Sequence, residues 1–261
     1  MCLVFFAYQC HPIYPLIIVG NRDEYFHRPT QPMHWWESNT NLLAGKDLQS
    51  GGTWMGFKKN GDFSIVTNFR EPSNQNTKKN FESRGFLPLN YLMTKKSYHD
   101  YLLQISNKSV QYDGFNLLLG NSKALAIFSN RPKNYKSQLI PKLEPGVYAM
   151  SNGTFDAPWP KAEKLKHAVK YWIAKKDSDT APLFEVLRDK QLANINELPE
   201  TGIPVHLEHQ LSACFVNINQ EYGTRSSYVA LLTEKEVRIE NQEFSKTAEI
   251  FRESTFKYAI E

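Results

Sequence analysis

Two apolar stretches near the start of the chain decide the fold class: Met1-Cys2-Leu3-Val4-Phe5-Phe6-Ala7-Tyr8 and Tyr14-Pro15-Leu16-Ile17-Ile18-Val19. Neither alternates apolar with polar residues, so each reads as a strand covered on both faces. His11-Pro12 between them is a turn signal. Runs at 54–58 and 63–68 flank Lys59-Asn60-Gly61, and Asn-Gly between strand-like runs predicts a hairpin. Further strands are expected at 115–119, 125–128, 146–151, 211–218, 226–232 and 236–240. Helical spacing covers 83–104, with Phe86, Leu89, Leu92 and Met93 on one face. It recurs over 159–173, with Leu165, Ala168, Val169 and Trp172, and a short helix fits within 180–198. The polar segment 72–80 reads as a mobile loop. The order is strands, helices, strands, helix, strands, with no internal repeat and no Pro/Gly/Ser linker. It predicts one α+β domain over 1–261, with antiparallel sheets and helices packed outside them.

Composition bounds the function classes. Of the 261 residues, 41% are hydrophobic and 13% aromatic, enough for a sizeable core, which excludes wholesale disorder. Lys and Arg total 31 against 27 Asp and Glu, and a net charge of +4 is too mild to imply nucleic acid. The apolar run at 3–8 is far below the roughly 18 residues that cross a bilayer, so no membrane insertion is expected. No basic segment precedes it and no small-residue cleavage site follows. A cytoplasmic protein is expected, with mitochondrial or Golgi association open in a eukaryote. Nucleotide-binding glycine motifs, G-x-S-x-G and H-E-x-x-H are absent, and no cofactor is implied. His206 and His209 read as exposed histidines rather than a metal pair. Gly51-Gly52 with Trp54 reads as a tight turn carrying a packed aromatic.

Three cysteines, at 2, 10 and 214, form no disulfide framework and fit a reducing compartment. Cys10 and Cys214 read as packing residues. Cys2 differs because removal of the initiator Met makes it the N-terminal residue. An α-amine titrates at about 8 and a thiol at about 8.5. At neutral pH the amine can therefore take the thiol's proton and later return it to a leaving amine.

The sequence resembles the NRDE family, also called the transport and Golgi organisation 2 family. The matching segments run in order over nearly the whole chain. They include Met1-Cys2-Leu3, Gly20-Asn21-Arg22-Asp23-Glu24, Leu43-Ala44-Gly45-Lys46-Asp47, Ser50-Gly51-Gly52-Thr53-Trp54-Met55-Gly56 and Thr67-Asn68-Phe69-Arg70. Later matches are Gly114-Phe115-Asn116, Met150-Ser151-Asn152, Pro158-Trp159-Pro160-Lys161 and Thr224-Arg225-Ser226. More distantly, the layout is similar to N-terminal nucleophile hydrolases of the choloylglycine hydrolase and penicillin V acylase type. That resemblance implies a four-layer α-β-β-α sandwich with an N-terminal Cys nucleophile. Its site would fall on Cys2, Arg22, Asp23 or Glu24, Asn68, Asn152 and Arg225. Arg22 would favour the thiolate, the two Asn amides would hold an oxyanion and the α-amine or substrate, and Arg225 would support the rest. In the hydrolases the acid follows the Arg by three residues. Position 25 here is Tyr, so Asp23 and Glu24 both stand for that acid. The resemblances imply either a cysteine amidohydrolase acting on a small acyl amide, or a non-enzymatic carrier of haem or an acyl-lipid.

Overall fold

The computed structural model describes residues 2–71, 81–131, 138–176 and 178–261, with the backbone alone at Cys2 and Gln138. In chain order its strands are β1 (Cys2–Tyr8), β2 (Leu16–Tyr25), β3 (Thr30–Trp36), β4 (Asn39–Asp47), β5 (Met55–Lys58), β6 (Phe63–Asn68), β7 (Phe115–Asn121), β8 (Ala124–Ser129), β9 (Gln138–Ile140), β10 (Gly146–Met150), β11 (Asn217–Ile218), β12 (Tyr222–Leu232), β13 (Glu236–Phe244) and β14 (Ile250–Ala259). The helices are α1 (Phe86–Met93), α2 (Tyr98–Lys108), α3 (Pro160–Lys175), α4 (Ala181–Leu187) and α5 (Val205–Gln210). One antiparallel sheet runs β10-β1-β2-β12-β13-β14, with β11 paired to β12. The other runs β3-β4-β5-β6-β7-β8-β9. The segment 72–80, expected to be a loop, lies outside the described residues.

Burial explains why the first two strands are apolar throughout. Val4, Phe6, Tyr8, Leu16 and Ile18 face the other sheet, where they meet Leu43, Phe57, Phe63, Ile65 and Leu118. Their neighbours Leu3, Phe5, Ala7, Ile17 and Val19 face Leu165, Val169 and Trp172 of α3 and Leu183 and Leu187 of α4. Helices α1 and α2 cover the outer face of the second sheet through Leu87, Leu92, Tyr101 and Ile105. The result is the expected α+β sandwich of four layers, helix, sheet, sheet, helix. Gly61 turns the predicted hairpin between β5 and β6 at φ +82°, a conformation that costs glycine little. Among the described residues, no helix is long and apolar enough to cross a membrane.

Four segments differ from the sequence reading. Strands β3 and β4 pair with register irregularities at Gln31/His34 and Trp35/Trp36, and these break the alternation by which a strand is read. The edge strand β14 is polar and mostly exposed. The apolar run at 211–218 is a strand only at Asn217–Ile218. Its backbone is held instead by non-ladder partners: Phe215 N–H donates to the Asp189 carbonyl at 2.9 Å, and the Cys214 carbonyl accepts from the Asn21 amide at 2.8 Å.

That Asn21 amide is the polar pin between β2 and the helix layer. It is fully buried, its Nδ2 also donates to the Leu187 carbonyl at 2.9 Å, and its Oδ1 accepts from the Ser227 hydroxyl at 2.6 Å. Removing it strands two buried carbonyls and a hydroxyl at about 1–3 kcal/mol for a group left unsatisfied. Asn21→Ala is therefore expected to lower the unfolding free energy by about 2–4 kcal/mol with an unchanged denaturant m-value. Urea titration followed by circular dichroism measures this, and a loss below about 0.5 kcal/mol contradicts the pin.

Candidate active site

The end of β2 sorts its four polar residues by strand alternation. Asn21 and Asp23 face the helix layer, while Arg22 and Glu24 fall on the inter-sheet side. In register, Arg22 pairs with Cys2 on β1 and with Ser226 on β12, so these three positions form one row across the sheet. Arg22 is only 4% exposed, and its Cζ lies 4.1 Å from the centroid of the Trp54 ring. Trp54 comes from the loop between β4 and β5, so this cation–π stack joins the two sheets. The benzo edge of the ring lies against Gly45, where a Cβ would stand 2.2 Å from the indole Cη2. Only glycine admits the ring there.

An ion network frames the stack. The Glu24 carboxylate lies 4.0 Å from Arg22 Nη2 and 3.9 Å from Arg28 Nε. Arg28 donates to Asp47 Oδ2 from Nη2 at 2.6 Å and from Nε at 3.0 Å, and this bond to Asp47 holds the guanidinium above its ordinary pKa. Asp47 Oδ1 accepts from the Gln49 N–H at 3.0 Å, and Asp47 N–H donates to the Gly52 carbonyl at 2.9 Å. The loop that carries Trp54 is thereby fixed to β4. Above these residues opens a cavity of about 370 Å³, bordered by Arg22, Glu24, Arg28, Asp47, Trp54, Asn68, Arg84 and Asp113.

Asn68, at the end of β6, is half-buried and borders that cavity. Asn152 is fully buried, and its Nδ2 donates to the Asn68 carbonyl at 2.8 Å. Thr67 donates to the Ser151 carbonyl at 2.8 Å and Asn116 to the Gly153 carbonyl at 2.9 Å. These bonds tie the segment after β10 to β6 and β7 of the other sheet. Asn152 thus positions the Asn68 backbone. Asn116, quoted in the sequence only as part of a motif, belongs to the same clasp.

Two expected site residues also carry structural bonds. Asp23 borders the cavity, but its carboxylate accepts from Thr224 Oγ1 at 2.7 Å and is 1% exposed. Burial pushes this carboxyl up, opposed by the field of Lys161 on α3. Lys161, 3% exposed, is itself lowered by burial, and its Nζ donates to the Leu211 carbonyl at 2.8 Å. Arg225 sits at the β-bulge between Thr224 and Ser226. Its Nη1 donates to the carbonyls of Tyr25 at 2.9 Å and Arg28 at 3.1 Å, and it lies over Phe26. It holds the turn that leads from β2 to β3. Of the two alternative acids, Glu24 is the one whose carboxylate approaches Arg22.

Cys10 and Cys214 are free thiols. Cys214 is 2% exposed in the core under α3, and burial pushes its thiol up to about 11, which keeps it protonated. His206 and His209 lie on α5, His206 exposed and His209 half-buried.

The profile of the family described as Transport and Golgi organisation 2 matches residues 1–245. The chain belongs to the transport and Golgi organisation 2 family. It is 30% identical over 253 residues to the human Transport and Golgi organization protein 2 homolog, a match covering 89% of this chain and 88% of that one. It is 28% identical over 256 residues to the Bos taurus homolog, with the same coverage. Among solved structures it is similar to a Caenorhabditis elegans N-acylethanolamine-hydrolyzing acid amidase ortholog, with a TM-score of 0.53 at 9% identity over 88% of this chain and 92% of that one. At that identity the likeness is one of fold. This family member has the N-terminal nucleophile hydrolase fold that its layout resembled.

The Asp23–Lys161 arrangement makes a pH prediction. A carboxyl whose folded pKa is raised contributes stability that is full below its unfolded pKa of about 3.9 and is lost as pH rises through the folded value. Lys161→Met removes the opposing positive charge and raises Asp23 further. Unfolding midpoints of this variant are expected to go on falling to a higher pH than those of the wild type. Declines that level off at the same pH would leave Lys161 with no electrostatic role toward Asp23.

Proposed function

We propose that this protein is a cysteine amidohydrolase that uses Cys2, exposed by removal of Met1, against a small acyl amide. The observation that carries the proposal is the register that sets residue 2 opposite Arg22 at the edge of a polar cavity bordered by Asn68. The fold neighbour named as an N-acylethanolamine-hydrolyzing acid amidase ortholog supports the same reaction class.

In the proposed reaction the Cys2 thiol gives its proton to the Cys2 α-amine, and the nearby Arg22 guanidinium favours the thiolate. The sulfur attacks the amide carbonyl carbon, a C–S bond forms, and the carbonyl electron pair moves to oxygen. The Asn68 amide donates to that oxyanion. Collapse breaks the C–N bond, and the α-ammonium proton passes to the leaving amine. Water then attacks the thioester and its proton goes to the α-amine. The C–S bond breaks and the proton returns to sulfur. Asn152 is a positioning residue, because its Nδ2 is bonded to the Asn68 carbonyl. A carrier of haem or acyl-lipid calls for an apolar groove. A wall that includes Arg22, Arg28, Arg84, Glu24, Asp47 and Asp113 speaks against that reading.

Purified protein is expected to have an intact mass lacking Met1 and to release amine from acyl-amide fluorogenic probes. Cys2→Ala is expected to abolish turnover. Asn68→Ala is expected to lower kcat by about 10²–10³-fold with little change in KM, the loss typical of one oxyanion donor. Retained Met1, or turnover that survives Cys2→Ala, contradicts the reading.

A further inference from the structure

Strand β14 ends the first sheet, and among the described residues no other strand lies along its outer side. Ladder geometry says which of its backbone groups are left over. Ile260 N–H donates to the Lys235 carbonyl at 2.8 Å, which continues the register that pairs Ala259 with Glu236. Backbone groups along a strand turn alternately to one neighbour and the other. Hence Ser254, Phe256 and Tyr258 turn theirs toward β13, and Glu253, Thr255 and Lys257 turn theirs to the open edge. The side chains of Glu253, Thr255 and Lys257 are exposed, whereas Phe256 and Tyr258 pack on the core between the sheets.

An open edge recruits another strand unless something repels it, and charged side chains are a usual guard. Here the guard is self-complementary. Two copies of β14 related by a two-fold axis pair antiparallel. Paired residues both turn their backbone groups to the partner or both turn them away, so the axis passes through a residue. An axis through Arg252, Glu253 or Lys257 sets that charge against its own copy. Only an axis through Thr255 sets Glu253 opposite the partner's Lys257, and Lys257 opposite the partner's Glu253. The same axis puts Glu253, Thr255 and Lys257, whose backbone groups are left over, in hydrogen-bonded pairs. Within the chain Lys257 stands opposite Arg238, a like-charge pair, with the Glu236 carboxylate 3.2 Å from its Nζ on the β13 side. The partner's Glu253 supplies a carboxylate on the other side.

We infer that β14 is a homodimer interface: two copies of the chain join edge to edge about an axis at Thr255 into one continuous sheet, with two Glu253–Lys257 cross pairs fixing the register.

Sedimentation velocity of the full-length protein over about 1–100 µM, the span of modest affinities, is expected to show a concentration-dependent dimer. Glu253→Lys and Lys257→Glu each turn both cross pairs into like charges at exposed positions. Each is expected to raise the dissociation constant about tenfold or more. Combining the two reversals restores the pairs in swapped order and is expected to return the constant to within about threefold of the wild type. Thr255→Cys is expected to form an intermolecular disulfide in air, because the two Cα atoms of a hydrogen-bonded pair stand about 5.5 Å apart. Ala259→Cys, about 25 Å from its copy along the paired strands, is expected to stay reduced. A monomer at every concentration overturns the inference. So does a dimer indifferent to the single reversals, or one that they weaken and the double reversal does not restore. Equal cross-linking of the two cysteine variants overturns it as well.

Discussion

A guanidinium taken out of water between two sheets is the constraint on which this end of the molecule depends. Moving such an ion into a protein interior costs several kcal/mol, which only close and well-oriented partners offset. Its partners include the face of Trp54 at 4.1 Å and, at longer range, the Glu24 carboxylate at 4.0 Å. Each partner has its own support. Trp54 needs the bare Cα of Gly45 behind it, and its loop needs Asp47, which Arg28 and the Gly52 carbonyl hold. Glu24 stays near Arg22 because Arg225 fixes the turn that follows β2. The stack therefore explains together the Asn-Arg-Asp-Glu run, the Leu-Ala-Gly run and the Gly-Gly-Thr-Trp run, which are far apart in sequence.

Strand alternation lets one short motif do two jobs. On the helix side, Asn21 satisfies buried carbonyls of the layer beneath, while Asp23 accepts from Thr224 of the neighbouring strand and faces the charge of Lys161. On the cavity side, Arg22 and Glu24 present a charge beside residue 2. The two sides also feel each other's charge, since the Arg22 guanidinium helps to offset the burial of the Asp23 carboxyl. A change in the helix layer, such as loss of Lys161, is thus read first in stability, while a change at Trp54 is read in the site.

The layout of the fold was legible wherever a strand is covered on both faces. The runs at 2–8 and 14–19 have no alternation because both sides are core. Strands β3, β4 and β14 were not legible, because bulges and an exposed edge remove the periodicity that identifies a strand. The run at 211–218 was misleading for the opposite reason. It is apolar and buried, yet its backbone groups find a side-chain amide and a helix-end carbonyl rather than a ladder. In the site, Arg22 and Asn68 could be singled out by motif. The stacking of Trp54 on Arg22 could not, since it depends on a contact between sheets. Nor could the buried state of Lys161, because a lysine in the first turn of an amphipathic helix reads as solvated.

The central claim is that Arg22, held by Trp54, makes Cys2 a thiolate near neutral pH. The most direct measurement is the pH dependence of iodoacetamide alkylation at Cys2, followed by peptide mass spectrometry in the wild type and in Arg22→Gln. The account predicts a wild-type midpoint below the ordinary thiol value of about 8.5 and a midpoint at least about one unit higher in the variant. Coincident midpoints in the two proteins would contradict it.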